Sequence, residues 1–135
     1  MLILIQSTSG QVNTMTLSER VTLTSPYFLL RLICDTTKTE TSCIISDVSP
    51  YTYRYNKFLI TEKANPTRIN GEVYLPTIGG YTYEVYEQLS STNLDYTLCD
   101  NTTPIEIGVL KVYPLSSTAT TIYTGASDEK IIYNP

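Results

Sequence analysis

The sequence contains no histidine and no tryptophan, and only 16% of its 135 residues are charged. Without histidine, neither a Ser-His-Asp nor a Cys-His catalytic arrangement can exist, and mixed Cys/His zinc sites are excluded. The sequence also has no glycine-rich phosphate loop and no pair of carboxylates spaced for glycoside hydrolysis. We therefore expect a protein that is not an enzyme and that binds no cofactor and no metal.

Basic clusters and long apolar runs are also missing. The nine lysines and arginines are scattered singly, and the net charge is −4. Nucleic-acid binders normally carry a basic patch, and so do proteins that bind anionic membranes, so we expect neither partner. The apolar residues 2–5 are too few for a signal-peptide core, and no basic stretch precedes them. We expect synthesis in a cytoplasm.

Cysteine is scarce and its count is odd. Cys34, Cys43 and Cys99 show no CxxC spacing, and a four-cysteine metal site would lack a ligand. Cys34 and Cys43 flank a short polar loop and could face each other across a hairpin. The alternative, which we favour, is that the thiols are free and buried in a reducing cytosol.

Threonine, serine and tyrosine are abundant instead, with 22, 12 and 12 copies. Threonine and tyrosine suit a half-buried pleated surface. Short β-rich runs alternate with turn signals about every ten residues, which is typical of a sandwich or barrel. The predicted strands cover residues 2–5, 12–17, 21–24, 27–34, 42–46, 54–63, 72–75, 81–89 and 105–113.

This pattern predicts an all-β fold, an immunoglobulin-like antiparallel β-sandwich over residues 1–114, followed by an extended C-terminal arm or edge strands at 115–135. A Gly79-x-Tyr81-x-Tyr83 sequence resembles the tyrosine corner of such domains, in which a tyrosine hydroxyl bonds back to the upstream chain. Tyr81 would be the corner residue. The polar loop 90–104 is long enough to be functional or mobile.

Two groups of residues are candidates for contacts with a partner. Tyr51, Tyr53 and Tyr55 cluster after a proline, and aromatic rings with a polar tip favour protein interfaces and sugar binding alike. An ordinary sandwich edge is an equally good explanation of these tyrosines. The arm has few large apolar residues, which could dock on a neighbouring sheet or close an edge of its own sandwich: Ile122, Tyr123, Ile131, Ile132 and Tyr133.

Three stretches together resemble a known family: LSERVTLTSPYFLLRLICDTTK at 17–38, YNKFLITE at 55–62 and GEVYLPTIGGYTYEVYEQLSSTNLD at 71–95. They are similar to small virion-associated structural proteins of tailed bacteriophages of Bacteroidetes, including crAss-like phages and their relatives. The similarity extends to GVLKV at 108–112 but does not include the arm. Leu30, Leu32 and Val48 depart from the family pattern.

The resemblance implies a non-enzymatic virion protein, attached to the capsid as an auxiliary or decoration protein or associated with the head fibre. It implies other virion proteins as partners, several copies or a homo-oligomer, and synthesis in the host bacterial cytoplasm before assembly. The alternative hypothesis is a host-surface glycan-binding module on the virion, which would use the cluster Tyr51–Tyr55.

Overall fold

The structure is a computed structural model, and it describes residues 1–24, 26–49 and 55–115. These residues form eight β-strands and two single 3₁₀ turns. The strands are β1 (Leu2–Ile5), β2 (Gln11–Met15), β3 (Tyr27–Cys34), β4 (Glu40–Ile45), β5 (Asn56–Glu62), β6 (Glu72–Val73), β7 (Gly79–Gln88) and β8 (Glu106–Tyr113). The 3₁₀ turns are Arg68–Asn70 and Tyr96–Leu98.

The strands form two sheets that pack face to face. One has five strands in the order β1-β8-β7-β3-β4, and the other has three in the order β2-β5-β6. The predicted all-β sandwich is therefore confirmed. Most pairings are antiparallel, but β1 lies parallel to β8 and β6 lies parallel to β5.

The core lies between the sheets and follows from strict alternation along the strands. On β7 the side chains of Tyr81, Tyr83 and Val85 point inward. Across the sandwich, the Phe28 and Phe58 rings meet edge to face with centroids 5.8 Å apart. This geometry is the favoured one for an aromatic pair.

The immunoglobulin-like assignment remains a prediction. The central order β8-β7-β3 corresponds to the G-F-C order of such domains, and β4 extends it as a C′ strand would. The small sheet with its parallel β5–β6 pair departs from that scheme. Tyr81, near the start of β7, donates its hydroxyl proton to the carbonyl oxygen of Thr77 (2.9 Å), which is a bond back to the upstream chain.

One local prediction is wrong. Residues 21–24 form no strand, because the backbone N–H groups of Thr22 and Leu23 donate to the buried carboxylate of Glu87 instead of to a ladder. Asn70-Gly71, a typical hairpin signal, does not join antiparallel strands. Gly71, at φ +77°, ends a 3₁₀ turn, and the flanking strands β5 and β6 are parallel.

Strand β1 lies at an edge of the five-stranded sheet, and side chains of β2 close that edge. Ile3 N donates to Asn13 Oδ1 (3.2 Å), and Ile5 N donates to Gln11 Oε1 (2.6 Å). Gln11 Nε2 returns a hydrogen bond to the Ile5 carbonyl oxygen (2.8 Å). A foreign strand therefore cannot simply extend the sheet at β1.

The domain boundary predicted at residue 114 falls just after β8, which ends at Tyr113. Nearly all of the predicted arm lies outside the described residues. In the described part of the chain, no helix is long and apolar enough to cross a membrane.

Candidate interaction surface

The outer face of β1 and β8 carries a strip of exposed apolar side chains. We call this set the β1–β8 strip; its members are 38% to 61% exposed and comprise Ile3, Ile5, Ile107, Val109 and Tyr113. The strand register places Ile5 directly beside Tyr113. Along β8 the members follow one another at every second residue except at Lys111.

The strip follows from sequence patterns in which both faces of a strand are apolar. On β1 the sequence LILI turns Leu2 and Leu4 into the core and leaves the two isoleucines outside. On β8, Leu110 and Val112 are buried. The alternate residues Ile107, Val109 and Tyr113 face outward. A strand with one solvated face normally alternates apolar and polar residues. An apolar outer face therefore marks a surface suited to contact.

Gly108 leaves room for the buried ring of Tyr83 on the neighbouring strand β7. A Cβ at this position would lie 2.5 Å from a ring carbon of the buried Tyr83, which pairs with it across the sheet. The Tyr83 hydroxyl then reaches Glu106 Oε2 (3.2 Å). Burial and the neighbouring Glu106 carboxylate raise the pKa of Tyr83 to about 12.

The strip carries one charge of its own. Lys111 lies on the same face, directly beside Ile3 in the register, and its side chain is exposed. Among the described residues, no carboxylate forms an ion pair with it. A partner that covers the strip therefore has to leave the ammonium in water or supply an acidic group.

Another part of this outer face is covered by the chain itself. The loop at residues 90–104, for which the sequence predicts function or mobility, folds back onto the sheet. Its residue Cys99 packs with Leu29, Ile44 and Tyr86 in a small second apolar cluster. Gln88 fixes the loop, since its Nε2 donates to the Asn93 carbonyl oxygen (2.9 Å).

A charged network separates this covered part from the strip. Arg31 forms ion pairs with Glu84 (2.6 Å) and Glu40 (2.8 Å), and its guanidinium carbon lies 4.0 Å from the centre of the Tyr96 ring. Tyr86 also donates to Glu84 (2.6 Å). Burial and the bond to Glu84 raise the pKa of Tyr86 to about 12. The strip is thus an apolar part of this face that none of the described residues covers.

The free energy that burial of the strip can contribute to binding can be bounded. Complete burial of a large apolar side chain is worth roughly 1.5–3 kcal/mol. Burying the exposed halves of the five strip residues therefore gives about 5 kcal/mol. Association of two molecules costs about 4–15 kcal/mol of lost freedom. The strip alone therefore supports only weak binding, and a stable complex needs further contacts.

A polar groove lies along β4, at the edge of the sheet opposite β1. Its volume is about 280 Å³, and its lining includes Arg68, Asp95 and Tyr96 together with residues 40–42. Asp95 accepts hydrogen bonds from the backbone and side chain of Thr97 (2.9 and 2.7 Å), which lower its pKa. Among the described residues, no carboxylate forms an ion pair with Arg68.

Of the contact residues predicted from the sequence, Tyr55 lies among the described residues. Tyr55 is half-buried and immediately precedes β5. The other predicted contact residues lie outside the described residues: Tyr51, Tyr53, Ile122, Tyr123, Ile131, Ile132 and Tyr133. Sequence reasoning missed the β1–β8 strip, although the unbroken LILI run and the spacing of Ile107 and Val109 carried the signal.

The three cysteines are free and buried. Cys43 lies opposite Leu30 in the β3–β4 register, whereas Cys34 adjoins the turn that joins the two strands, so the thiols do not face each other. Burial raises the pKa of Cys43 to about 12 and that of Cys99 to about 11. Hydrogen bonds from Thr36 and Thr37 lower the pKa of Cys34 to about 6.

Among residues 1–24, 26–49 and 55–115, no three acidic or cysteine side chains come together in a way that could hold a metal ion. No protein-family model, no curated protein and no solved structure matches the chain. The fold and its surfaces are therefore the basis for the functional argument.

Proposed function

We propose that this chain is a non-enzymatic structural protein of a bacteriophage virion, which binds to the capsid as an auxiliary protein or to the head fibre. The observation that carries the contact role is the β1–β8 strip, an uncovered apolar face on a closed sandwich. The resemblance of residues 17–38, 55–62 and 71–95 to virion proteins supplies the setting.

The weakness of the strip fits such a role. A surface worth about 5 kcal/mol keeps the newly made chain separate and soluble. On a particle, many copies are held at high local concentration, so that weak contacts add up to a stable layer. The closed β1 edge acts in the same direction, because it prevents premature pairing of strands between chains.

The test is the incorporation of variants into phage particles. Val109→Glu places a carboxylate in the strip, and we expect at least about a tenfold loss of copies per particle, corresponding to about 1.4 kcal/mol of contact energy. The matched control is Val12→Glu, since Val12 is also a strand valine on an outer face and is similarly exposed (54% against 50%). Quantitative mass spectrometry of purified particles measures both.

Two results would contradict the proposal. One is the absence of the wild-type chain from purified particles. The other is equal incorporation of the Val109 and Val12 variants, which would remove the strip from the contact. Circular dichroism of each purified variant establishes that it is folded before incorporation is compared.

A second candidate function is a host-surface glycan-binding module, and the polar groove along β4 favours it. An aromatic ring beside Arg68 and Asp95 offers the stacking surface and hydrogen-bonding groups that sugars use. The test is a glycan array probed with the wild-type chain and with Tyr96→Ala, using Tyr27→Ala as an exposed-tyrosine control. Binding that does not depend on Tyr96 would exclude this groove.

A further inference from the structure

The β1–β8 strip needs a specific occupant, and the sequence contains a segment suited to it. Residues 116–135 follow directly after the described part of the chain and hold few large apolar side chains, among them Ile131, Ile132 and Tyr133. We propose that segment 116–135 of one copy of this chain binds the β1–β8 strip of a second copy. The inference rests on the proposed function, in that it names the partner of the same surface.

The composition of the segment matches the strip. Ile131 and Tyr133 are two residues apart, as are Ile3 and Ile5 on the edge strand of the strip. In extended chains, residues two apart lie on the same side, about 7 Å from each other. Two such pairs can therefore oppose each other over the same length.

Charge complements this apolar match. Lys111 lies beside Ile3 on the same face as the strip, and none of the described carboxylates forms an ion pair with it. The segment carries Asp128 and Glu129 shortly before its apolar end, and Lys130 lies between Glu129 and Ile131. In an extended segment Glu129 lies on the same side as Ile131, and Lys130 lies on the opposite side. A bound segment that seats Ile131 near Ile3 brings an acidic side chain within reach of Lys111, which removes the cost of covering an unpaired ammonium.

The direction of β8 favours a second copy over the same chain. The strand runs along the strip from Ile107 and ends at Tyr113, so the chain leaves the strip at its far end. To bind the strip of its own chain, the segment would have to reverse direction beyond Tyr113 and run back beside β8. A neighbouring copy is therefore the more accessible acceptor.

Such a contact joins two different surfaces, so each copy offers one segment and one strip. Contacts of this type close into rings or continue from copy to copy. This property suits a protein that is present many times on one particle. Because each copy then takes part in two contacts, such an assembly also supplies the further contacts that the strip alone lacks.

The decisive experiment is disulfide trapping between two differently tagged full-length chains. A Val109→Cys chain is mixed with an Ile131→Cys chain under mild oxidation, and we expect a mixed disulfide dimer. The matched control mixes Val12→Cys with Ile131→Cys, and we expect little product. The three native thiols are buried, so they do not compete in the folded protein.

Analytical ultracentrifugation of the unmodified chain gives an independent measurement. We expect self-association that rises with concentration and weakens about tenfold or more in both Val109→Glu and Ile131→Ser/Tyr133→Ser. Val12→Glu should behave as the wild type. Reversing the charge with Lys111→Glu should also weaken association, and Asp128→Lys/Glu129→Lys in the same chain should restore it.

Three outcomes would overturn the inference: equal trapping at Val109 and Val12, a monomer at every concentration, or an intramolecular disulfide in a Val109→Cys/Ile131→Cys chain. The proposed function fails separately. A chain that is monomeric in solution yet incorporated into particles through the strip has another protein as its partner. A chain that self-associates but is absent from particles retains the contact and loses the virion role.

Discussion

Glu87 shows how one buried side chain organises a distant part of this fold. Its carboxylate is fully buried at the end of the sandwich. Oε1 accepts from the backbone N–H groups of Thr22 (2.9 Å) and Leu23 (3.0 Å), and Oε2 accepts from Thr22 Oγ1 (2.6 Å) and Asn101 Nδ2 (3.1 Å). Burial opposes ionisation, but these four bonds outweigh it and hold the pKa of Glu87 below its usual value.

The substitution Glu87→Gln should lower the free energy of unfolding by about 2 kcal/mol at neutral pH, since hydrogen bonds to a buried charge are worth about 1.5–3 kcal/mol each and an amide places N–H groups against N–H donors. Chemical denaturation measures this loss. The exposed Glu19 provides the control, and Glu19→Gln should change stability by less than about 0.5 kcal/mol.

The same carboxylate predicts a pH dependence. Because the folded pKa is lowered, its contribution is fully present above the ordinary glutamate pKa of 4.5 and is lost as the pH falls below that value. The Glu87→Gln chain should therefore lose less stability than the wild type between neutral pH and the acid range. Parallel pH profiles for the two proteins would contradict this role.

At the scale of the element, β1 depends on side chains rather than on a second strand. One side of β1 pairs with β8, and the other is closed by Gln11 and Asn13 of β2. The Gln11 side chain makes three hydrogen bonds. Two are with Ile5 N and Ile5 O of β1, and the third is with Thr8 O in the connection that follows. One glutamine thus links the edges of the two sheets.

The substitution Gln11→Ala should lower the free energy of unfolding by about 1–2 kcal/mol, because it leaves backbone groups of β1 without their partners. Thr14→Ala on the exposed face of the same strand should cost less than about 0.5 kcal/mol. Hydrogen exchange should show faster exchange at Ile5 N in the Gln11 variant alone. Unchanged exchange there would show that the glutamine does not close the edge.

Most strands could be predicted from the sequence because their signal is local. The alternation in 81–89 and the apolar run 27–34 gave β7 and β3 nearly at their observed bounds. Residues 21–24 have the same β-rich composition, yet Glu87, 65 residues away from Thr22, takes their backbone donors. The parallel β1–β8 pairing likewise joins the two ends of the described chain and leaves no local pattern.

The candidate surfaces were less predictable for a related reason. Alternation indicates which residues share a face but not which face another part of the chain covers. The outer faces of β3 and β8 both carry apolar residues. Loop 90–104 covers Leu29 on the first and leaves Val109 on the second exposed. The prediction of contacts at Tyr51, Tyr53 and Tyr55 depends on residue type alone. Of these three residues, the structure describes Tyr55.

At the scale of the whole molecule, the two apolar clusters differ in size and position. The main core fills the sandwich and contains Cys34 and Cys43, while the small cluster under the loop 90–104 contains Cys99. The loop is held to the sheet by a few side chains and by Gln88, whereas the sandwich is held by strand ladders on both sides of the main core. Local opening should therefore begin at the loop.

The buried thiols allow this order to be measured. With a thiol reagent and increasing denaturant, Cys99 should be modified at concentrations that leave Cys34 and Cys43 protected, since release of the loop exposes it without breaking a strand ladder. Cys34 and Cys43 should then become reactive together, in the main unfolding transition seen by circular dichroism, because both belong to the core that closes the two sheets. Peptide mapping by mass spectrometry assigns each site. Modification of all three in one transition would show that the loop and the sandwich unfold as a single unit, and early modification of Cys34 would instead place the weakest part of the fold at the β3–β4 turn.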